Sequence, residues 1–272
     1  MRSPTPHSFD QMVNRQVQRW IHDEARDRST RSRPCVAISR LPGSSAAELG
    51  QLVADQLEFG FFGREIVDQI ARQEKIARHL VEGLDERMRD AIERFVHDGF
   101  NRLPHYTESQ YHRQLLRILG TLSERGLSVI LGRGAAYALP PARTLRILVV
   151  ESRSGRVERL RKAKGLGLEE ASKRIGYEQD QRLRFVKHHF GLDADDPSHF
   201  DLVVNTESLG INAAARLVRR AYFERFPGAS SNAKIERARS RTRLSGSSPA
   251  RAAMLSSAIY RPVSFSTTRP TG

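Results

Sequence analysis

The sequence predicts an α/β fold with a parallel sheet covered on both faces, and three observations carry this expectation. Short, continuous apolar runs of strand length recur along the chain, at 35–39, 127–131, 145–150 and 200–205. Stretches with helical periodicity separate them. A chain of 272 residues with 39% hydrophobic and 28% charged residues can also bury a sizeable core. Strands that are apolar throughout, rather than on alternate residues, belong to sheets buried on both faces.

The elements follow in order. Phe9, Met12, Val13, Val17, Trp20 and Ile21 recur at helical spacing behind Ser8 at the cap position. They predict an amphipathic helix of about five turns, set against the main domain or at a dimer contact. Cys35-Val36-Ala37-Ile38-Ser39 reads as the first strand, and Leu49, Leu52, Val53 and Leu57 share one face of the helix after it. Thr107-Glu108-Ser109-Gln110 matches a capping box, followed by Tyr111, Leu115, Leu119 and Leu122 at helical spacing and by Gly126 at the C-cap position. That helix delivers the chain to the strand Leu127-Ser128-Val129-Ile130-Leu131, and a Gly-Arg-Gly turn and Pro140-Pro141 lead into the strand Leu145–Val150. A charged helical stretch from about Gly155 to Phe190 precedes the strand Phe200–Asn205, and a last helix runs through Ala213, Leu217 and Ala221. No repeat with a period of 20–50 residues is visible.

The formal charge is +14, and its distribution separates core from tails. Residues 1–33 carry seven Lys/Arg against four Asp/Glu, and residues 228–272 carry eight against one. Only +4 is left for 34–227, which reads as one domain between an N-terminal helix with linker (1–33) and a basic disordered tail (228–272) rich in Ser, Arg, Gly and Pro. Contact of the tail with nucleic acid is disfavoured, because the core is nearly neutral and holds no recognition motif. No apolar run approaches the roughly 20 residues of a membrane span, and the first residues lack the apolar stretch of a secretory signal. The single cysteine, Cys35, excludes an internal disulfide and a cysteine-rich metal site, and a cytoplasmic protein is expected.

Ligands of such a sheet bind beyond the carboxyl ends of its strands, so the loop Ser39-Arg40-Leu41-Pro42-Gly43-Ser44-Ser45-Ala46-Ala47 after the first strand is the place to search. Backbone N–H groups opening a helix, aided by hydroxyls, suit a polyphosphate. Aligned on Gly43 with the Walker pattern, the chain has Arg40 for the first glycine, Ser45 for the second and Ala46 for the lysine. His188 and His189 have no partner at metal-ligand spacing, and the acidic run Asp193, Asp195, Asp196 reads as a solvated loop rather than a cation site.

A larger pattern adds to this. Ser39–Ser45, Phe62-Gly63-Arg64-Glu65-Ile66-Val67, Leu84-Asp85-Glu86-Arg87, Val129–Ala135 with Gly132-Arg133-Gly134, Asp180-Gln181-Arg182 and Phe200–Thr206 appear in the order and spacing of the cytidylate kinase-like family. The chain resembles that family over about residues 34–223. The resemblance implies a three-layer P-loop kinase fold with a five-stranded parallel sheet, its fifth strand near Phe59-Gly60-Phe61-Phe62, an acceptor subdomain and a mobile lid. It implies transfer of the γ-phosphoryl group of ATP to a nucleoside monophosphate, CMP or dCMP, with Mg²⁺. Catalytic roles fall on Arg133, Asp180 and Arg182. Nucleotide contacts fall on Arg40, Gly43, Ser44, Ser45, Ala46 and Arg156, and acceptor contacts on Arg64, Arg133 and Arg184. Phosphoryl transfer needs positioning and neutralisation of negative charge more than covalent chemistry, which is why arginines dominate that set. A solvated helix with Asp180 and Arg184 paired at i,i+4 explains part of the lid pattern equally well.

Two departures from the pattern bear on activity. The loop lysine is absent, and Leu131 stands before Gly132-Arg133, where cytidylate kinases carry an aspartate. Either Arg40 and lid arginines supply the lost charge, or the protein binds nucleotide and turns it over poorly. A lysine introduced at Ala46 is expected to reach the phosphates.

Overall fold

Five strands form one parallel sheet in the order β2-β3-β1-β4-β5: β1 Cys35–Arg40, β2 Gly60–Phe62, β3 Ser128–Leu131, β4 Thr144–Val150 and β5 Leu202–Asn205. The computed structural model describes residues 17–18, 34–72, 84–102 and 110–229. Alternate residues of each strand enter opposite apolar layers. Cys35, Ala37, Phe62, Ile130 and Leu148 pack on one face, and Val36, Ile38, Val129, Ile147 and Val149 on the other. Helices cover both layers, so β1, β3 and β4 are buried along nearly their whole length, which is what continuous apolar strands require, while β5 at the edge leaves Val203 41% exposed.

One layer is closed by α1 (Ala46–Leu57) through Leu49, Val53 and Leu57, and by the C-terminal helix. The other is closed by α2 (Arg64–Arg72) and by α4 (Gln110–Arg125) through Leu115, Leu119 and Leu122. A smaller cluster of Leu84, Ile92, Val96 and Leu116 joins α3 (Glu86–Arg102) to α4. Gly126 adopts φ 71° and its N–H bonds Leu122 O at 3.0 Å, ending α4 as its C-cap position requires. Beyond β3, a short α5 (Ala135–Ala138) carries the chain toward β4. β2 is the strand implied by the family resemblance. With three residues it is too short to show a period of its own.

Three expectations change. The charged stretch 155–190 is two helices, α6 (Arg153–Lys164) and α7 (Leu168–Phe190), because Gly165 takes the left-handed conformation at φ 66° and caps the first. Phe200 lies outside β5. The final segment is a short α8 (Thr206–Leu209), Gly210, and α9 (Ile211–Arg225), whose buried face is Ala214, Ala215, Val218 and Tyr222. Leu217 is 48% exposed, one step out of phase with that face. Ala229 is still packed in the core, while the segment 230–272 lies outside the described residues, as do the capping-box residues 107–109 and the N-terminal helix apart from Val17 and Gln18. Val17 is fully buried in the α2/α4 layer.

The C-terminal half of α7 meets α4 through histidines. The His189 ring centroid lies 5.0 Å from that of His112, 4.8 Å from His188 and 4.5 Å from Phe185. Burial, with His112 and His188 nearby, pushes the His189 imidazole down to about 4. The folded state therefore keeps this ring neutral while the unfolded chain protonates it near 6.5. Its stabilising contribution is complete above that value and is lost as pH falls from about 6.5 toward 4. Melting temperatures at pH 7.5 and pH 5 should differ more for the wild type than for His189→Leu; an equal difference would remove this histidine as the cause.

Candidate active site

At the carboxyl end of β1 the chain turns through Leu41–Ser45 into α1, with Gly43 at φ 79°. A Cβ on Gly43 would collide with the Ile175 side chain of α7 and lie 3.0 Å from the Arg156 carbonyl oxygen, so the α6–α7 pair sits directly on the loop. Ser45 occupies the N-cap position of α1 but makes no capping bond to the helix. Instead its N–H and Oγ–H both donate to Oε1 of Glu151, at 2.9 and 2.6 Å. The Thr206 hydroxyl donates to the same oxygen at 2.6 Å, and Arg159 ion-pairs with Oε2. The Glu151 side chain is 0% exposed. Burial alone would raise its pKa, but the donors from Ser45, Thr206 and Arg159 outweigh it and hold the carboxyl below the ordinary carboxylate range.

Glu151 is the first residue past β4, and Thr206 the first past β5, so adjacent strand ends converge on the loop. From α6, Arg156 donates to Pro42 O at 3.0 Å and to Glu151 O at 3.3 Å, and Arg159 donates to Gly43 O at 3.4 Å. Burial pulls the Arg156 pKa below its usual value, yet a guanidinium stays charged. Glu207 fixes the start of α6, accepting from Ser152 N at 2.7 Å and Ser152 Oγ at 2.9 Å.

Arg182, on α7, reaches the same edge. It pairs with Asp195 at 2.6 Å, donates to Ala194 O at 2.7 Å, and lies 3.4 Å from Ser39 Oγ and 3.5 Å from the Tyr137 hydroxyl. The acidic run is an exposed turn, as expected of a solvated loop, in which Asp193 accepts from Asp195 N and Asp196 from Ser198 N.

On the other side of the sheet edge, Arg133 projects from the turn after β3 at φ 51° between two left-handed glycines. Its guanidinium pairs with Asp68 of α2, which also accepts from the Tyr111 hydroxyl at 2.8 Å. Arg133 Nε is buried with no hydrogen-bond partner among the described residues. Arg40 is half-buried, without a hydrogen bond or ion pair among the described residues. Burial lowers its pKa, opposed by Glu65 and Glu178, while nearby Arg64 adds to the lowering. Arg64 is exposed at the start of α2.

The model of the cytidylate kinase-like family matches residues 35–208. The chain belongs to the cytidylate kinase-like family. It is 30% identical over 103 residues to a cytidylate kinase from Staphylothermus marinus, 38% of this chain and 57% of that protein. It is 32% identical over 93 residues to a cytidylate kinase from Methanopyrus kandleri, 31% of this chain and 48% of that one. The chain therefore spans about half the length of these curated relatives. A crystallised, uncharacterized protein from Eubacterium ventriosum shares the fold, with TM-score 0.55 and 17% identity over 71% of this chain and 99% of that one.

Of the residues the family resemblance marks, the structure gathers Gly43, Ser44, Ser45, Arg156 and Arg182 around the loop, and Arg40, Arg64 and Arg133 beside α2. Asp180 and Arg184 are exposed on α7 and make no ion pair with each other. Ala46 departs from expectation more sharply. It is fully buried in the layer with Leu49 and Val53, so its side chain points into the core and a lysine there would not lie over the phosphates. Glu151, Thr206, Asp68 and Tyr137 escaped the sequence reading. For Glu151 the available signal was its place immediately past a strand at the carboxyl edge.

Proposed function

We propose that this chain is a nucleoside-monophosphate kinase that transfers the γ-phosphoryl group of ATP to CMP or dCMP at the carboxyl edge of the sheet. The observation carrying this reading is that edge's arginine arrangement: Arg156, Arg159 and Arg182 on the loop side, and Arg133 with its buried, unpartnered Nε on the α2 side. ATP supplies the transferable phosphoryl group. The donors at the loop fit an anion, since Ser45 N–H, Ser45 Oγ–H and Arg159 already hold one, and Ser44 Oγ is buried without a partner. Arg156 and Arg159 provide the positive charge that the missing lysine would have given. Arg133 is the group that orients an acceptor phosphate, with Asp68, itself bonded by the Tyr111 hydroxyl, holding its guanidinium in place.

Mg²⁺ is also implied by the family, but the described residues do not fit a protein-held ion. No group of three or more His, Cys, Asp or Glu among them could hold a metal, and Glu151 faces only donors. A second reading, a nucleotide-binding protein with weak turnover, draws support from Glu151 standing in the loop. Calorimetric titration of the full chain with CMP, dCMP, UMP and AMP tests the acceptor assignment. CMP and dCMP should bind and Arg133→Ala should weaken that binding; binding that ignores Arg133 would overturn it.

A further inference from the structure

We infer that the Glu151 carboxylate is an internal occupant of the phosphate loop, held on the donors a polyphosphate would take, so that polyphosphate binds by displacing it. The inference rests on the kinase reading of this loop. Everything that meets the carboxylate is a donor: a backbone N–H, two hydroxyls and a guanidinium. Ser45 and Thr206 each own one hydroxyl hydrogen, and both short contacts of 2.6 Å direct it at Oε1. A cation site needs free lone pairs turned toward a cavity. Here three donors converge on Oε1 and a guanidinium on Oε2, so by its chemistry this is an anion pocket.

Ser44 supplies an independent sign of a ligand. It is 8% exposed, its Oγ has no partner among the described residues, and it belongs to the same loop. A single carboxylate satisfies Ser45 and leaves Ser44 unanswered. A phosphate, with three acceptor oxygens and more charge, can answer more donors at once. The serine found where the family prefers glycine is also accounted for: Ser45 Oγ–H is one of the four donors that hold Glu151.

Displacement has a cost. The carboxylate must give up its four donors and become solvated, and the apparent affinity for polyphosphate falls by the fraction of molecules with the loop vacated. Because Arg159 bonds Gly43 O as well as Glu151, and Thr206 precedes the Glu207 that anchors α6, the same exchange loosens contacts that seat α6 on the loop.

Titration calorimetry with inorganic tripolyphosphate at fixed ionic strength, on the full-length wild type, Glu151→Gln and Thr206→Val, tests the inference. Glu151→Gln removes the charge and places an amide against Ser45 and Arg159; Thr206→Val withdraws one donor from the carboxylate and ends the 2.9 Å contact of its hydroxyl with Ser45 Oγ, while removing none of the loop's own donors. Glu151→Gln should bind tripolyphosphate about tenfold tighter than wild type or better, and Thr206→Val should shift in the same direction by less. If Glu151→Gln does not fold, Thr206→Val decides alone. Equal or weaker binding by the variants, or no binding by any protein, overturns the inference. Tighter binding without phosphoryl transfer to any monophosphate supports it and removes the kinase reading. Transfer by the wild type with no gain in the variants does the reverse.

Discussion

Ala46→Lys should unfold the protein more readily and add nothing to nucleotide binding. Ala46 is 0% exposed and packs with Leu49, Val53 and Ala54 under the sheet, so a lysine there carries an ammonium into an apolar layer and overfills a close-packed site. An uncompensated buried charge costs about 3–5 kcal/mol. For a domain of this size that corresponds to a fall of roughly 10 °C in melting temperature. Circular dichroism melts check it: an unchanged melting temperature together with tighter ATP binding would show that position 46 faces the phosphates after all.

Arg133→Ala should lower turnover by about 10²-fold or more, because a guanidinium placed where negative charge develops is lost from the transition state. Stability will also fall. Asp68 is 16% exposed, and it loses its guanidinium partner while keeping the Tyr111 hydroxyl. The penalty for an unsatisfied, partly buried carboxylate is roughly 1–3 kcal/mol. Asp68→Asn in the same background removes the stranded charge and retains an oxygen for Tyr111, so the double variant should recover stability without recovering turnover. Recovery of both would make Arg133 a structural residue. Arg182→Ala should lower turnover likewise, but its partner Asp195 is 48% exposed and stays solvated, so losing that ion pair should cost little stability.

The layered fold was legible because β1, β3 and β4 are continuous apolar runs, and Leu115, Leu119 and Leu122 keep helical phase with a glycine at the end. β2 was not legible from periodicity, since its three residues owe their conformation to pairing with Ser128–Ile130. α9 was misread in phase: alanines carry little contrast, and Leu217 outweighed Ala214 and Ala215 although Tyr222 and Val218 define the buried face. Within the site, Arg133 and Arg182 were visible as arginines in a recognisable order. Glu151 was not, because its partners lie 106, 55 and 8 residues away and a lone charge after an apolar strand looks like a surface residue. The alignment of Ala46 with a lysine was uninformative about direction, since a motif does not say which way a side chain points.

ADP release by the full chain from ATP, measured with CMP, dCMP, UMP or AMP and with no acceptor, tests the central claim most directly. The account predicts release that depends on CMP or dCMP and drops by about 10²-fold in Arg133→Ala. Release that is the same with and without every acceptor, or absent with all of them, would contradict it.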